Sequence, residues 1–82
     1  MILKYQSGVE IRRGDRVLFH GAPGEIEFVA RDLDDPETNW YVQEYGGGVM
    51  VLEPKVFGRV FIQAGQLQST EDLQFVARAE EQ

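Results

Sequence analysis

The side chains that can do covalent or acid–base chemistry are few in this chain. It has one histidine, His20, and no cysteine. A catalytic triad joins a serine, a histidine and a carboxylate, but Ser7 and Ser69 both lack the Gly-x-Ser-x-Gly context of a nucleophile elbow. His20 precedes Gly21 at the end of a predicted strand, where an imidazole is expected to cap a turn. We therefore predict no catalytic residues, and the chain is not expected to be an enzyme.

Two segments have the composition of ligand sites but not the spacing. Residues 32–37 are rich in carboxylates, yet an EF-hand loop counted from Asp32 would have Pro36 in fifth place, and Glu37 where glycine is needed. Three glycines at residues 46–48 lack the lysine and the Ser or Thr that follow in a phosphate-binding loop. We predict no metal ion and no cofactor, and we expect residues 32–39 to form an exposed loop.

The remaining chemistry is that of recognition. Trp, Tyr and Arg are the residue types that dominate binding hot spots, and exposed carboxylates steer a partner of opposite charge. Trp40 and Tyr41 are neighbours, so in a strand they would point to opposite faces and one of them would be exposed. The predicted partner-binding residues are Asp34, Asp35, Glu37, Trp40, Tyr41, Glu44, Tyr45 and Arg59.

Charge is unevenly distributed along the chain. The 82 residues carry a formal charge of −6, and residues 32–82 hold three basic side chains against ten carboxylates. Because Lys and Arg supply most nucleic-acid affinity, this balance disfavours nucleic acid and favours a basic protein partner. The lack of cysteine and of any long apolar run predicts a cytoplasmic protein that makes no contact with membranes.

The apolar pattern predicts short strands separated by turns. Runs rich in β-branched and aromatic residues are bounded by Gly, Pro, Asn and Asp, which is typical of strands. In the second run, Ile26, Phe28 and Ala30 alternate with charged residues and are predicted to share one face. The predicted strands cover residues 16–20, 25–31, 40–45, 49–52, 56–62 and 73–78.

These strands predict an all-β domain. The first two should form a hairpin, residues 46–48 should make a second hairpin or a bend, and residues 63–67 should form a helical turn before the last strand. Phe19, Phe28 and Phe75 are the predicted aromatic core. Small all-β domains protect their edges by closing, so we predict a single small barrel of five or six short strands. It would span residues 1–79, followed by a frayed acidic tail at residues 80–82.

The opening of the chain has a Gly-Asp-x-Val strand followed by a glycine turn. The residues of this pattern are Ile11, Gly14, Asp15, Val17, Gly21, Gly24, Ile26 and Val29. The pattern resembles the first hairpin of small SH3-like barrels, including KOW-type modules, which implies that the predicted barrel is SH3-like. KOW-type modules often bind RNA or ribosomal proteins, which implies a similar role here, although this chain departs from them in being acidic.

A second resemblance concerns size and charge. The chain is similar to small, acidic, cysteine-free immunity proteins that neutralise bacterial toxins, which implies that its carboxylates would occlude a basic target. A non-enzymatic protein-binding module is therefore the leading hypothesis. One alternative is an RNA- or ribosome-associated KOW-type module that uses Lys4, Arg12, Arg13 and Arg16. Another is a structural domain that self-assembles through an exposed strand edge.

Overall fold

The computed structural model describes residues 2–79, and the tail predicted at residues 80–82 lies outside this range. Five strands form one sheet: β1 (Arg16–Phe19), β2 (Ala22–Ala30), β3 (Gly48–Glu53), β4 (Gly58–Gln63) and β5 (Leu73–Ala77). All neighbouring strands are antiparallel, and their spatial order is β4-β3-β2-β1-β5. The mostly-β prediction is confirmed. Neither helix within residues 2–79 has the length and apolarity to cross a bilayer.

Two short helices accompany the sheet. The α-helix α1 (Asn39–Tyr45) precedes β3, and a 3-10 helix (Ala64–Ser69) precedes β5. The 3-10 helix confirms the predicted helical turn before the last strand. The α-helix contradicts the prediction of a strand at residues 40–45.

The predicted hairpin of the first two strands is confirmed. β1 pairs with the first part of β2, and the turn between them has positive φ at both His20 (51°) and Gly21 (79°). Two-residue hairpin turns of this kind match the twist of the flanking strands. The His20 backbone N–H donates to the Asp72 carbonyl at 2.9 Å, and Nδ1 of its ring lies 3.1 Å from Asp72 Oδ2. His20 therefore lies in the turn, and the strand predicted to include it ends at Phe19.

β2 contains one extra residue. Ile26 lies opposite Val51 and Phe28 lies opposite Met50, so two steps along β2 match one step along β3. This bulge leaves Glu27 without a partner in the register and turns Ile26 and Phe28 toward opposite faces. The prediction that these two side chains share a face is wrong, because alternation along a strand holds only where the register is regular.

The main core lies on the sheet face that carries Ile26. Phe19 is buried there and Phe75 packs against the cluster, but Phe28 lies on the other face, so the predicted aromatic core is only partly correct. Strands from both ends of the sheet contribute apolar side chains. The buried members are Leu3, Tyr5, Ile11, Val17, Phe19, Ile26, Val49, Val51, Ile62, Leu67 and Leu73.

A buried carboxylate joins the segment before β1 to the segment after β5. Asp15 is fully buried, and its Oδ2 accepts hydrogen bonds from the Tyr5 hydroxyl (2.7 Å), the Arg12 backbone N–H (2.9 Å) and Arg78 Nη1 (2.8 Å). Burial and the bond to Asp15 both raise the pKa of Tyr5, so its phenol remains a donor at neutral pH. A buried charge is tolerated only when it is paired, so this network fixes both segments against β1.

Glycine is required where α1 passes into β3. Gly46 adopts a left-handed conformation (φ 76°) and ends α1, with its N–H donating to the Val42 carbonyl at 2.9 Å. A Cβ at Gly48 would lie 2.2 Å from the Ile62 carbonyl oxygen, closer than any side chain tolerates. Residues 46–48 therefore end a helix and begin a strand. The predicted hairpin is wrong, and the alternative of a bend is confirmed at Gly46.

Glu53 organises the turn from β3 to β4. The residue is fully buried, and its carboxylate accepts hydrogen bonds from the backbone N–H groups of Lys55, Val56 (2.8 Å) and Phe57 (3.0 Å). Burial alone would raise the pKa of Glu53, but these three bonds hold it below its ordinary value. Val56 belongs to this turn, and the strand predicted to begin there begins at Gly58.

The Glu53 carboxylate predicts a pH dependence of stability. Because its pKa is lower in the folded than in the unfolded chain, its contribution is complete above the ordinary glutamate pKa of about 4.3 and is lost as the pH falls through the folded value. Urea denaturation at a series of pH values should therefore show a steeper loss of unfolding free energy below about pH 4 in the parent chain than in Glu53→Gln. Glu71→Gln, at an exposed residue, should keep the parent slope. Equal slopes for the parent chain and Glu53→Gln would contradict this role.

Candidate functional site

The predicted recognition residues lie on α1 and on the loop before it. The Thr38 carbonyl accepts the N–H groups of Tyr41 (3.0 Å) and Val42 (3.4 Å), which starts the helix at Asn39. Tyr41 and Tyr45 are four residues apart and therefore share one side of α1. The segment is too short for its apolar spacing to distinguish a period of two from one of 3.6, which is why the sequence predicted a strand.

The outer face of the sheet, the face away from the main core, carries the packing surface for α1. Phe28, Met50 and Phe61 lie side by side on β2, β3 and β4, and Met50 is only 7% exposed. The Tyr41 ring lies 5.1 Å from that of Phe28 and 4.8 Å from that of Phe61, measured between centroids. Tyr41 thus packs on the outer face of the sheet, against one ring from β2 and one from β4, and this contact fixes α1 on the sheet.

Trp40 and Tyr45 extend this cluster to the surface. The Trp40 ring centroid lies 4.9 Å from that of Tyr41 and 5.7 Å from that of Tyr45, and Tyr45 in turn lies 5.3 Å from Phe61. Trp40 is nevertheless 52% exposed and Tyr45 44% exposed. Three rings on one helix, Trp40, Tyr41 and Tyr45, therefore form a surface of defined orientation that we call the aromatic patch.

Carboxylates adjoin the aromatic patch. Asp34, Asp35 and Glu37 are exposed in the loop before α1, where Asp35 Oδ1 accepts the Glu37 N–H at 2.9 Å. Glu44 is exposed on α1, one helical turn after Trp40. Residues 32–54 contain no Lys or Arg, and none of these four carboxylates forms an ion pair among the described residues. Among residues 2–79, no three carboxylate or imidazole groups come together as a metal site would require.

Arg59 lies on the same outer face but is already engaged. Its guanidinium makes two hydrogen bonds to Glu27, at 2.7 and 3.1 Å, and this pairing raises the pKa of Arg59. Glu27 is the extra residue of the β2 bulge, and Arg59 stands two residues before Phe61 on β4. The structure thus brings Trp40, Tyr41 and Tyr45 together and places Arg59 nearby as half of an ion pair.

A groove of about 640 Å³ runs past this ion pair. Glu10, on its wall, accepts hydrogen bonds from Arg12 (3.3 Å) and Arg31 (3.2 Å). Three of the four arginines that line the groove are therefore paired with carboxylates, which weakens its attraction for phosphate. Of the residues named for the RNA-binding alternative, Arg12 and Arg13 line this groove. Its arginines are Arg12, Arg13, Arg31 and Arg59.

The packing of Tyr41 leads to a stability prediction. Tyr41→Ala removes contacts with the rings of Phe28, Trp40 and Phe61, so we expect a loss of about 2–4 kcal/mol in unfolding free energy. Tyr41→Phe retains the ring and should stay within about 0.5 kcal/mol of the parent chain. Urea denaturation measures both values. Val76→Ala, at an exposed site on β5, is the control, and a Tyr41→Ala variant as stable as this control would refute the packing role.

Comparison with known proteins supplies no relative for this chain. No family model, no curated protein and no solved structure matches it. The candidate site is therefore defined by its own geometry, as an exposed aromatic patch on a short helix, flanked by carboxylates and packed on the outer face of a five-stranded sheet.

Proposed function

We propose that this chain is a non-enzymatic protein-binding module whose contact surface is the aromatic patch. The observation that carries the proposal is that Trp40 is 52% exposed while two neighbouring rings fix its orientation. Aromatic side chains bury a large area at low conformational cost, which makes them the usual anchors of protein interfaces. Exposed apolar surface is less favourable in water than in an apolar contact, so a partner that covers these rings would gain free energy from their burial.

The charges around the patch support a basic partner. Asp34, Asp35, Glu37 and Glu44 are all exposed, and none of them forms an ion pair among the described residues. Complementary charge accelerates encounter and excludes partners of the same sign. An immunity protein that occludes a basic toxin in the cytoplasm is one concrete form of this function.

We further propose that the sheet, whose two edges in the strand order are β4 and β5, curls into an SH3-like barrel. Both edge strands supply side chains to the main core, Ile62 from β4 and Leu73 from β5, and Leu67 of the connecting 3-10 helix belongs to the same core. β2 pairs with β1 through residues 22–25 and with β3 through residues 25–30, which supports a strand shared between two halves of a curled sheet.

The binding proposal is tested by capture with matched variants. The tagged full chain, a Trp40→Ala/Tyr45→Ala variant and a Val76→Ala control are each incubated with lysate of the native cells, and bound proteins are quantified by mass spectrometry. We expect at least one protein to be captured in equal amounts by the parent chain and the control. The double variant should capture at least about tenfold less of that protein.

Controls separate binding from folding. Each variant is first shown by urea denaturation to be folded under the capture conditions. Reversing the charges of Asp34, Asp35 and Glu37 should slow association with the captured protein and reduce its salt dependence. If every captured protein binds the double variant as well as the control, the aromatic patch is not the binding surface.

A further inference from the structure

We propose that the aromatic patch receives an arginine side chain of the partner, with the guanidinium lying against Trp40. This inference rests on the protein-binding function proposed above and specifies the group that is recognised. It follows from the geometry of the indole, from the nearby carboxylates and from the engagement of the chain's own arginines.

The indole of Trp40 has surface available to a planar group. Its two ring contacts are almost perpendicular, at 89° to Tyr41 and 80° to Tyr45, so neither neighbour lies stacked parallel to it. Half of the residue is in water. Trp is the strongest cation–π acceptor among the aromatic side chains, and the flat guanidinium can stack on its face.

Nearby carboxylates suit the rest of the guanidinium. Glu44 follows Trp40 by one turn of α1, and Glu37 precedes it by three residues in the loop. Both are exposed and, within residues 2–79, neither makes an ion pair through its carboxylate. A guanidinium stacked on the indole still has N–H donors at its edge, and carboxylates accept them strongly.

The chain's own cations do not fill this site. Arg59, on the outer face, makes two hydrogen bonds to Glu27. Among the described residues, the cation that does lie over a ring is Arg78, 5.0 Å from the centre of Phe75 on β5. No cation of residues 2–79 therefore lies over the indole of Trp40, and its face is open to an external arginine.

Two model peptides of equal charge test the inference. The intact chain is titrated at low ionic strength with (Gly-Arg)4 and with (Gly-Lys)4, and binding is followed by calorimetry and by the emission of Trp40, the chain's single tryptophan. We expect (Gly-Arg)4 to bind about three- to fivefold more tightly and to change the emission in a saturable way.

Variants assign the preference to individual groups. Trp40→Ala, measured by calorimetry, should reduce the affinity for (Gly-Arg)4 to that for (Gly-Lys)4. The double variant Glu37→Gln/Glu44→Gln should have a lower affinity for both peptides than the control double variant Glu25→Gln/Glu71→Gln. The control removes the same charge at exposed positions on β2 and before β5. Equal affinities for the two peptides, or an unchanged preference in Trp40→Ala, would overturn the inference.

The peptide and capture experiments fail independently. If neither peptide binds while capture still depends on Trp40 and Tyr45, the patch binds protein through another group and the arginine inference alone is wrong. If (Gly-Arg)4 binds at Trp40 but no captured protein depends on the patch, the arginine site stands and the protein-binding function is overturned.

Discussion

One extra residue in β2 governs the arrangement of both sheet faces. The bulge at Glu27 turns Ile26 into the main core and Phe28 onto the outer face. Without it, Phe28 would point inward and α1 would lose half of the aromatic surface on which Tyr41 packs. The bulge also leaves Glu27 free to pair with Arg59, so the charge of this arginine near the patch is balanced by a carboxylate.

The exposed tryptophan is a consequence of this packing. α1 has seven residues, too few for an isolated helix to be stable in water, so its stability comes from docking Tyr41 and Tyr45 on the sheet. With those two rings facing inward, the neighbouring Trp40 is left at the surface, braced by both. Its orientation therefore derives from the sheet, and a partner that binds it pays little entropy to order it.

The sequence pattern correctly predicted those parts of the fold that depend on residues close together in the chain. The first hairpin followed from its turn residues, and the residue types alone drew attention to Trp40, Tyr41 and Tyr45. The bulge, the helix and the outer sheet face on which the helix packs depend on pairing between strands that are distant in sequence. The alternation of residues within one strand carries no information about that pairing. Buried carboxylates escaped prediction for the same reason: the partners of Asp15 include Arg78, 63 residues away.

Time-resolved fluorescence anisotropy of Trp40 tests the central claim most directly, since the chain has a single tryptophan. An indole braced by Tyr41 and Tyr45 at the surface of a docked helix should lose its anisotropy mainly with the tumbling of the whole domain. The emission should at the same time be that of a partly exposed indole. A dominant subnanosecond decay would mean that Trp40 moves freely, and it would contradict a preformed binding surface.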